Sequence, residues 1–266
     1  MNKPIILLFL LGIFACKQAP KAEKVEEPVP QEMTESKPRY PDAMVQVFEA
    51  HGGIKKWKEQ RTLSFVIPKP DLPEIYTIDL WSRMNRVDTE MVSRGMDDQD
   101  VWLLDTGNSY KGDARFANNL MFYFYAMPFV LGDTGIVYSE ADDLEFEGKS
   151  FPGVKIGFQS GVGDSSKDEY FIHYDPETFQ MAWLGYTVTY RSGESSDNVK
   201  WIRYDDWQEV NGILLPNSIS WFTLEDGNLI EPRNTVTFNE VTLSENPKPK
   251  DYYLKPEGAK YVPVKN

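Results

Sequence analysis

The chain has 266 residues, a net charge of −13, two histidines and a single cysteine. One cysteine excludes an intramolecular disulfide, and with two histidines it excludes a His/Cys metal constellation. Residues 17–40 hold five basic and five acidic side chains and Lys3 adds one positive charge, so residues 41–266 carry −14. That excess argues against nucleic acid and against electrostatic docking on anionic lipid.

The chain opens as an export signal. Lys3 supplies a positive charge, and Ile5 to Ile13 is an apolar run broken only by Gly12. The run is shorter than the roughly 18–20 residues of a membrane span. Ile13-Phe14-Ala15-Cys16 resembles a lipobox, which makes Cys16 the expected lipidation site and residues 1–15 the expected signal peptide. The alternative is an ordinary cleaved signal with an incidental cysteine. Residues 16–40 read as the lipidated cysteine and a flexible Pro/Glu/Lys linker, with prolines at 20, 28, 30 and 38. Lys17 and Gln18 follow the cysteine, with no Asp directly after it. The expected location is therefore the outer membrane, facing the periplasm, with surface display as the minority reading.

Residues 41–266 read as one domain. A helix is expected from Asp42 to His51, with Pro41 at its start and Gly52-Gly53 at its end. His51 suits the negative end of that helix as a partly positive imidazole. Ile54 and Trp57 share a face on a short second turn. Period-2 patterns follow: Leu63-Phe65-Ile67, Tyr76-Ile78-Leu80, Val101 to Leu104, Val154-Ile156-Phe158 and Tyr170-Ile172-Tyr174. Segments 179–190, 199–208, 213–224 and 233–243 continue them. Asp105 to Asn108, Asp175-Pro176, Ser192-Gly193, Asn211-Gly212 and Asp226-Gly227-Asn228 mark the turns. The expected fold class is mainly β, a curled antiparallel sheet of about ten or eleven strands. One segment breaks the pattern. In 116–131, Leu120, Phe124, Met127 and Leu131 form a helical stripe, and Phe122, Tyr125 and Phe129 are apolar off it. A helix apolar all round is buried on several sides, and Pro128 stops or kinks it. A strand is the alternative there.

No catalytic signature appears. His51 and His173 are read as structural. Gly157 to Gly161 has the wrong spacing for a nucleophile elbow. Asp97-Asp98-Gln99-Asp100, Asp142-Asp143 and Asp205-Asp206 are read as solvated hairpin ends rather than a glycosidase pair. Gly161 to Asp168 lacks the ordered spacing of a calcium loop and is read as a hairpin. No cofactor and no metal are expected.

Four phrases in order carry a resemblance. Tyr174-Asp175-Pro176-Glu177-Thr178-Phe179 and the hairpin Tyr204 to Pro216, with its Trp207, Gly212-Ile213 and Pro216, look like the lipoprotein-carrier (LolA/LolB-type) family. Ala50 to Trp57 and Tyr125 to Asp133 are similar to uncharacterised lipoproteins of Bacteroidota. The resemblance implies a half-barrel with a cavity for an acyl chain or other apolar ligand. Strand parity and the helix stripe select Tyr76, Ile78, Leu80, Phe122, Phe124, Met127, Ile219, Val236 and Phe238 as its lining. The expected function is a membrane-anchored periplasmic binder of an apolar ligand, with lipid or lipoprotein transport as its candidate role, and not an enzyme. A lipoprotein whose interior is filled by its own helix, and which meets a protein partner, is the alternative. A hydrolase is the remote one. The expected partners are the membrane through the lipid, the apolar ligand and a possible protein, with no nucleic acid.

Overall fold

Pro41 precedes helix α1 (Asp42–Ala50), where its missing donor costs nothing. Met44, Val47 and Phe48 are the buried stripe of α1, and a short helix α2 (Ile54–Glu59) buries Trp57. Between them Gly52 and Gly53 take φ of +102° and +92°. The computed structural model describes residues 39–70, 72–159, 167–189 and 194–264. Cys16, the signal and nearly all of the linker lie outside these residues, as do the Ser192-Gly193 turn and most of the 161–168 segment. Pro38–Asn266 is one compact unit. No helix among the described residues is long and apolar enough to cross a membrane.

His51 follows α1 and differs from expectation. It is fully buried, and its Nδ1–H donates to the Val47 carbonyl at 2.8 Å. The Trp207 ring lies edge-on 4.6 Å away, and Nε2 has no hydrogen-bond partner among the described residues. Burial outweighs that backbone contact and lowers the imidazole pKa to about 4, so it is neutral at pH 7 rather than partly positive. Its folded pKa lies below the ordinary value, so the native state binds fewer protons than the unfolded one. This contribution is complete above about pH 6.5 and is lost as pH falls toward 4, roughly 3 kcal/mol at the low end. Urea unfolding across that range should show a shallower pH slope in His51→Gln than in the native chain.

Strands β1 (Thr62–Ile67), β2 (Glu74–Asp79), β3 (Asn85–Asp88), β4 (Ser93–Met96) and β5 (Val101–Leu104) form an antiparallel meander. Then come helices α3 (Ala114–Ala117) and α4 (Leu120–Tyr125) and a 3-10 turn (Phe129–Gly132). A second meander follows: β6 (Ile136–Phe146), β7 (Lys149–Phe158), β8 (Tyr170–Tyr174), β9 (Met181–Tyr186), β10 (Lys200–Val210), β11 (Ile213–Glu225) and β12 (Asn228–Thr237). The chain then returns to the first sheet. β13 (Asn239–Ser244) pairs with β1, and β14 (Lys260–Tyr261) pairs with β5. The result is two antiparallel sheets of seven strands each, mainly β as expected and not closed into a barrel.

Three details depart from the sequence reading. The strands among the described residues number fourteen, because β3, β4, β6 and β14 are short or polar and carry little periodic signal. The expected strand 233–243 is two strands in different sheets, β12 and β13, with Phe238 alone between them. Its N–H donates to the Asn217 carbonyl at 2.9 Å. Finally, the Asp142-Asp143 and Asp205-Asp206 pairs are not hairpin ends. Each lies within a long strand where the register shifts, in β6 and β10. A bulge turns successive residues to solvent, and period-2 counting cannot see it. Asp97 does cap a turn, accepting from the backbone N–H of Gln99 and Asp100.

The hairpin glycines behave as expected. Asn211-Gly212 and Asp226-Gly227 take positive φ at both positions, the geometry that matches the strand twist.

Candidate functional site

The apolar faces of the two sheets converge on residues 120–132. From the first sheet, Phe65 stacks on Tyr76 at 4.8 Å and meets the Tyr125 ring at 4.5 Å. From the second, Trp221 and Tyr186 lie 5.6 and 5.0 Å from Phe124. Phe238, at the crossing between sheets, touches both Tyr125 (4.3 Å) and Phe65 (5.5 Å). Phe129 stacks on Trp57 of α2 at 4.8 Å, with the rings only 9° from parallel. The expected helix over 116–131 is thus realised as three short turns rather than one. It is buried on several sides, and its Met127-Pro128 bond is cis.

The nine residues proposed as a lining meet in one cluster. Tyr76, Ile78, Leu80, Phe122, Phe124, Met127, Ile219 and Phe238 are all 6% exposed or less, and Val236 is half-buried against them. They pack on one another and on the inserted segment, so the space between them is taken up by side chains. Sequence reasoning missed Phe65, Tyr125, Tyr204 and Trp221, which are equally central. Phe65 carried the signal, since it alternates with Leu63 and Ile67. Tyr125 did not, because it lies off the helical stripe.

Few hydrogen bonds hold the segment. The Tyr204 hydroxyl donates to the Phe124 carbonyl at 2.7 Å, and Tyr138 donates to the Leu131 carbonyl. Tyr40 donates to the Gly132 carbonyl at 2.8 Å, and Asn85 Nδ2 donates to Asn119 Oδ1 at 2.8 Å. Arg83 pairs with Asp133 at 2.6 Å. Burial raises the Asp133 carboxyl above its ordinary pKa, despite Arg83. Two groups are left over. The Tyr125 hydroxyl and both side-chain polar atoms of Asn118 are buried without hydrogen-bond partners among the described residues. An unpaired buried group costs about 1–3 kcal/mol.

An ionic cluster sits on the inner face of the first sheet. Tyr76, Val87 and Arg94 are directly opposite one another on β2, β3 and β4. Arg94 contacts Glu74 at 3.3 Å and donates to the Tyr76 hydroxyl at 3.1 Å, and that hydroxyl donates to Glu74 at 2.8 Å. Lys69 adds a contact to Glu74 at 2.9 Å. Burial pushes the Glu74 carboxyl up, but Arg94, Lys69 and the Tyr76 hydrogen bond outweigh it and hold it below its ordinary value. Two cations converge on one carboxylate, and the cluster ties β2 to β4 as an internal clamp. Among the described residues no group of three or more His, Cys, Asp or Glu is arranged to hold a metal.

Solved structures with a similar chain trace include a LolA superfamily protein from Nitrosomonas europaea, at 10% identity and a TM-score of 0.43, covering 74% of this chain and 89% of that one. A DUF1329 family protein from Desulfovibrio piger is similar at 9% identity and 0.42, covering 74% and 92%. A putative outer membrane lipoprotein-sorting protein domain from Vibrio parahaemolyticus is similar at 8% and 0.39, covering 76% and 97%. No curated protein matches. One family model matches residues 87–236, from β3 through the inserted segment to β12. The chain therefore belongs to DUF6503, a family of unknown function.

Proposed function

We propose that this chain is a non-catalytic cell-envelope protein, held to a membrane by lipid on Cys16, that binds an acyl chain or similar apolar ligand between its two sheets. The ligand occupies the space that residues 120–132 fill in the structure described here. One observation carries the reading. The inserted segment is apolar on all sides, is held by a handful of hydrogen bonds, and leaves the Tyr125 hydroxyl buried at its centre with no hydrogen-bond partner among the described residues. An element that packs through side chains can leave without breaking a sheet. The unpaired hydroxyl makes the filled state less favourable and so lowers the cost of that exchange.

Native mass spectrometry on the purified protein, followed by lipid extraction, tests this. A non-covalent fatty acid or phospholipid, lost in Ile78→Asp and Ile219→Asp variants that keep their circular dichroism, is the expected result, because both side chains line the space from the sheets and stay when the segment leaves. A mass that carries only the covalent anchor, with no uptake of offered lipid, refutes it. That outcome favours a second reading, an interaction protein whose interior is permanently filled, for which the close packing of Phe65, Tyr125 and Phe238 speaks.

Tyr125→Phe gives a subtler check. Removing the unpartnered hydroxyl should leave stability unchanged or raise it by about 1 kcal/mol, and it should weaken lipid uptake because the filled state gains. Chemical unfolding and a lipid titration measure the two.

A further inference from the structure

The second sheet is apolar on both faces. Val154, Ile172, Leu184, Ile202 and Trp221 point into the core. Their neighbours in register point the other way. Lys155, Phe171, Gly185, Trp201 and Phe222 form one row, and Gly153, His173, Trp183 and Arg203 form the next. Two glycines let rings lie down on this outer face. A Cβ on Gly153 would stand 2.7 Å from His173 Cε1, and one on Gly185 would stand 2.9 Å from Trp201 Cζ3. Against this ring floor the bulge in the edge strand β6, between Ala141 and Leu144, raises Asp142 and Asp143 as a wall.

Floor and wall enclose an open groove of about 470 Å³, lined by Phe171, His173, Trp201, Glu140, Asp142 and Asp143. That volume is in the range of small-molecule sites and far exceeds one ion. Its charge is one-sided. Among the described residues Glu140, Asp142 and Asp143 form no ion pair, and Asp143 accepts only from the Ser150 hydroxyl at 3.2 Å. Lys155 also lines the groove, but its charge is spent. Its Nζ meets Glu169 at 2.7 Å and lies 5.5 Å over the Phe171 ring, which shows that this floor accepts a cation. His173 is 3% exposed. Its Nδ1–H donates to the Phe151 carbonyl at 3.1 Å, which leaves Nε2 as an acceptor with no partner among the described residues. Burial keeps this imidazole below its ordinary pKa, hence neutral and able to accept. Rings, carboxylates and a lone acceptor together complement a cation that carries N–H donors on an apolar stem. A metal does not suit the donor arrangement.

We propose that this outer groove binds an organic cation, an ammonium or guanidinium group on an apolar stem, with Trp201 and Phe171 as its floor and Asp142, Asp143 and Glu140 as its counter-charge. It is a second site, on the opposite face of the sheet from the lipid space, and either assignment stands if the other fails.

Isothermal titration calorimetry on the full protein tests it with spermidine and with a capped tripeptide bearing a central arginine. Maltotriose serves as the neutral probe. At least one cation should bind. The exposed double variant Asp142→Asn/Asp143→Asn should weaken it by about tenfold, with a similar loss at high salt. Phe171→Leu, which changes no charge, should weaken it as well. Spermidine alone would identify a free amine as ligand, and the tripeptide alone would identify a peptide side chain; each upholds the proposal. No heat from either cation, binding indifferent to the double variant, or binding of maltotriose in their place overturns it.

Discussion

Phe129→Ala is expected to destabilise the protein by about 3–5 kcal/mol, the range for truncating a buried aromatic. Phe129 is fully buried and ties the inserted segment to both N-terminal helices. It stacks on Trp57 of α2 at 4.8 Å, faces Phe48 of α1 at 6.5 Å, and presents an edge to His51 at 6.4 Å. Gly132, one turn on, packs under Phe48 and Ile54, so the surroundings have little freedom to collapse into the space. The loss therefore includes both transfer and cavity contributions. The midpoint of urea unfolding would fall with an unchanged slope. A small change, below about 1 kcal/mol, would mean that the helical pair and the inserted segment are not packed as described.

Glu74→Gln is expected to cost about 3 kcal/mol or more, because it strands a buried charge. Arg94 is 4% exposed at its side chain, and Glu74 is its only carboxylate partner among the described residues. The reverse change, Arg94→Met, should cost less, since Lys69 still faces Glu74 at 2.9 Å. Acid reads the same cluster. The Glu74 carboxyl is held below its ordinary value, so the native state binds fewer protons there than the unfolded state. The stability it supplies is complete above its unfolded value of about 4.5 and is lost as pH falls through the folded value. Unfolding of the native chain and of Glu74→Gln should therefore converge at low pH. Parallel curves would contradict this role for the cluster.

Much of the fold was legible in the sequence, and the physical reasons are specific. Leu63, Phe65 and Ile67, or Tyr76 and Ile78, alternate cleanly because one face of each strand is buried and the other is wet or half-covered. Asn211-Gly212 and Asp226-Gly227 are legible because few residues tolerate positive φ at two successive positions. The inserted segment was legible as buried because its apolar residues exceed one helical stripe.

Other features were not legible. β6, reading Tyr-Ser-Glu-Ala-Asp-Asp-Leu, is an edge strand with a bulge, so neither alternation nor apolar content reveals it. The crossing at Phe238 was invisible because β12 and β13 run on without a turn residue between them. The outer face of the second sheet was not legible as a place for aromatic side chains. Trp183, Trp201, Phe146, Phe151 and Phe222 cluster on the outer face of the second sheet. Register alone assigns a strand residue to one face or the other, and register comes from pairing partners far away in sequence.

Hydrogen exchange on the amides of residues 120–132, with and without palmitate, tests the exchange of segment for ligand most directly. The account predicts faster exchange in that segment on adding palmitate, while the amides of β1, β2, β10 and β11 stay protected. An unchanged pattern in the segment, at palmitate concentrations that other lipid binders take up, would contradict it and leave the interior as a permanently filled core.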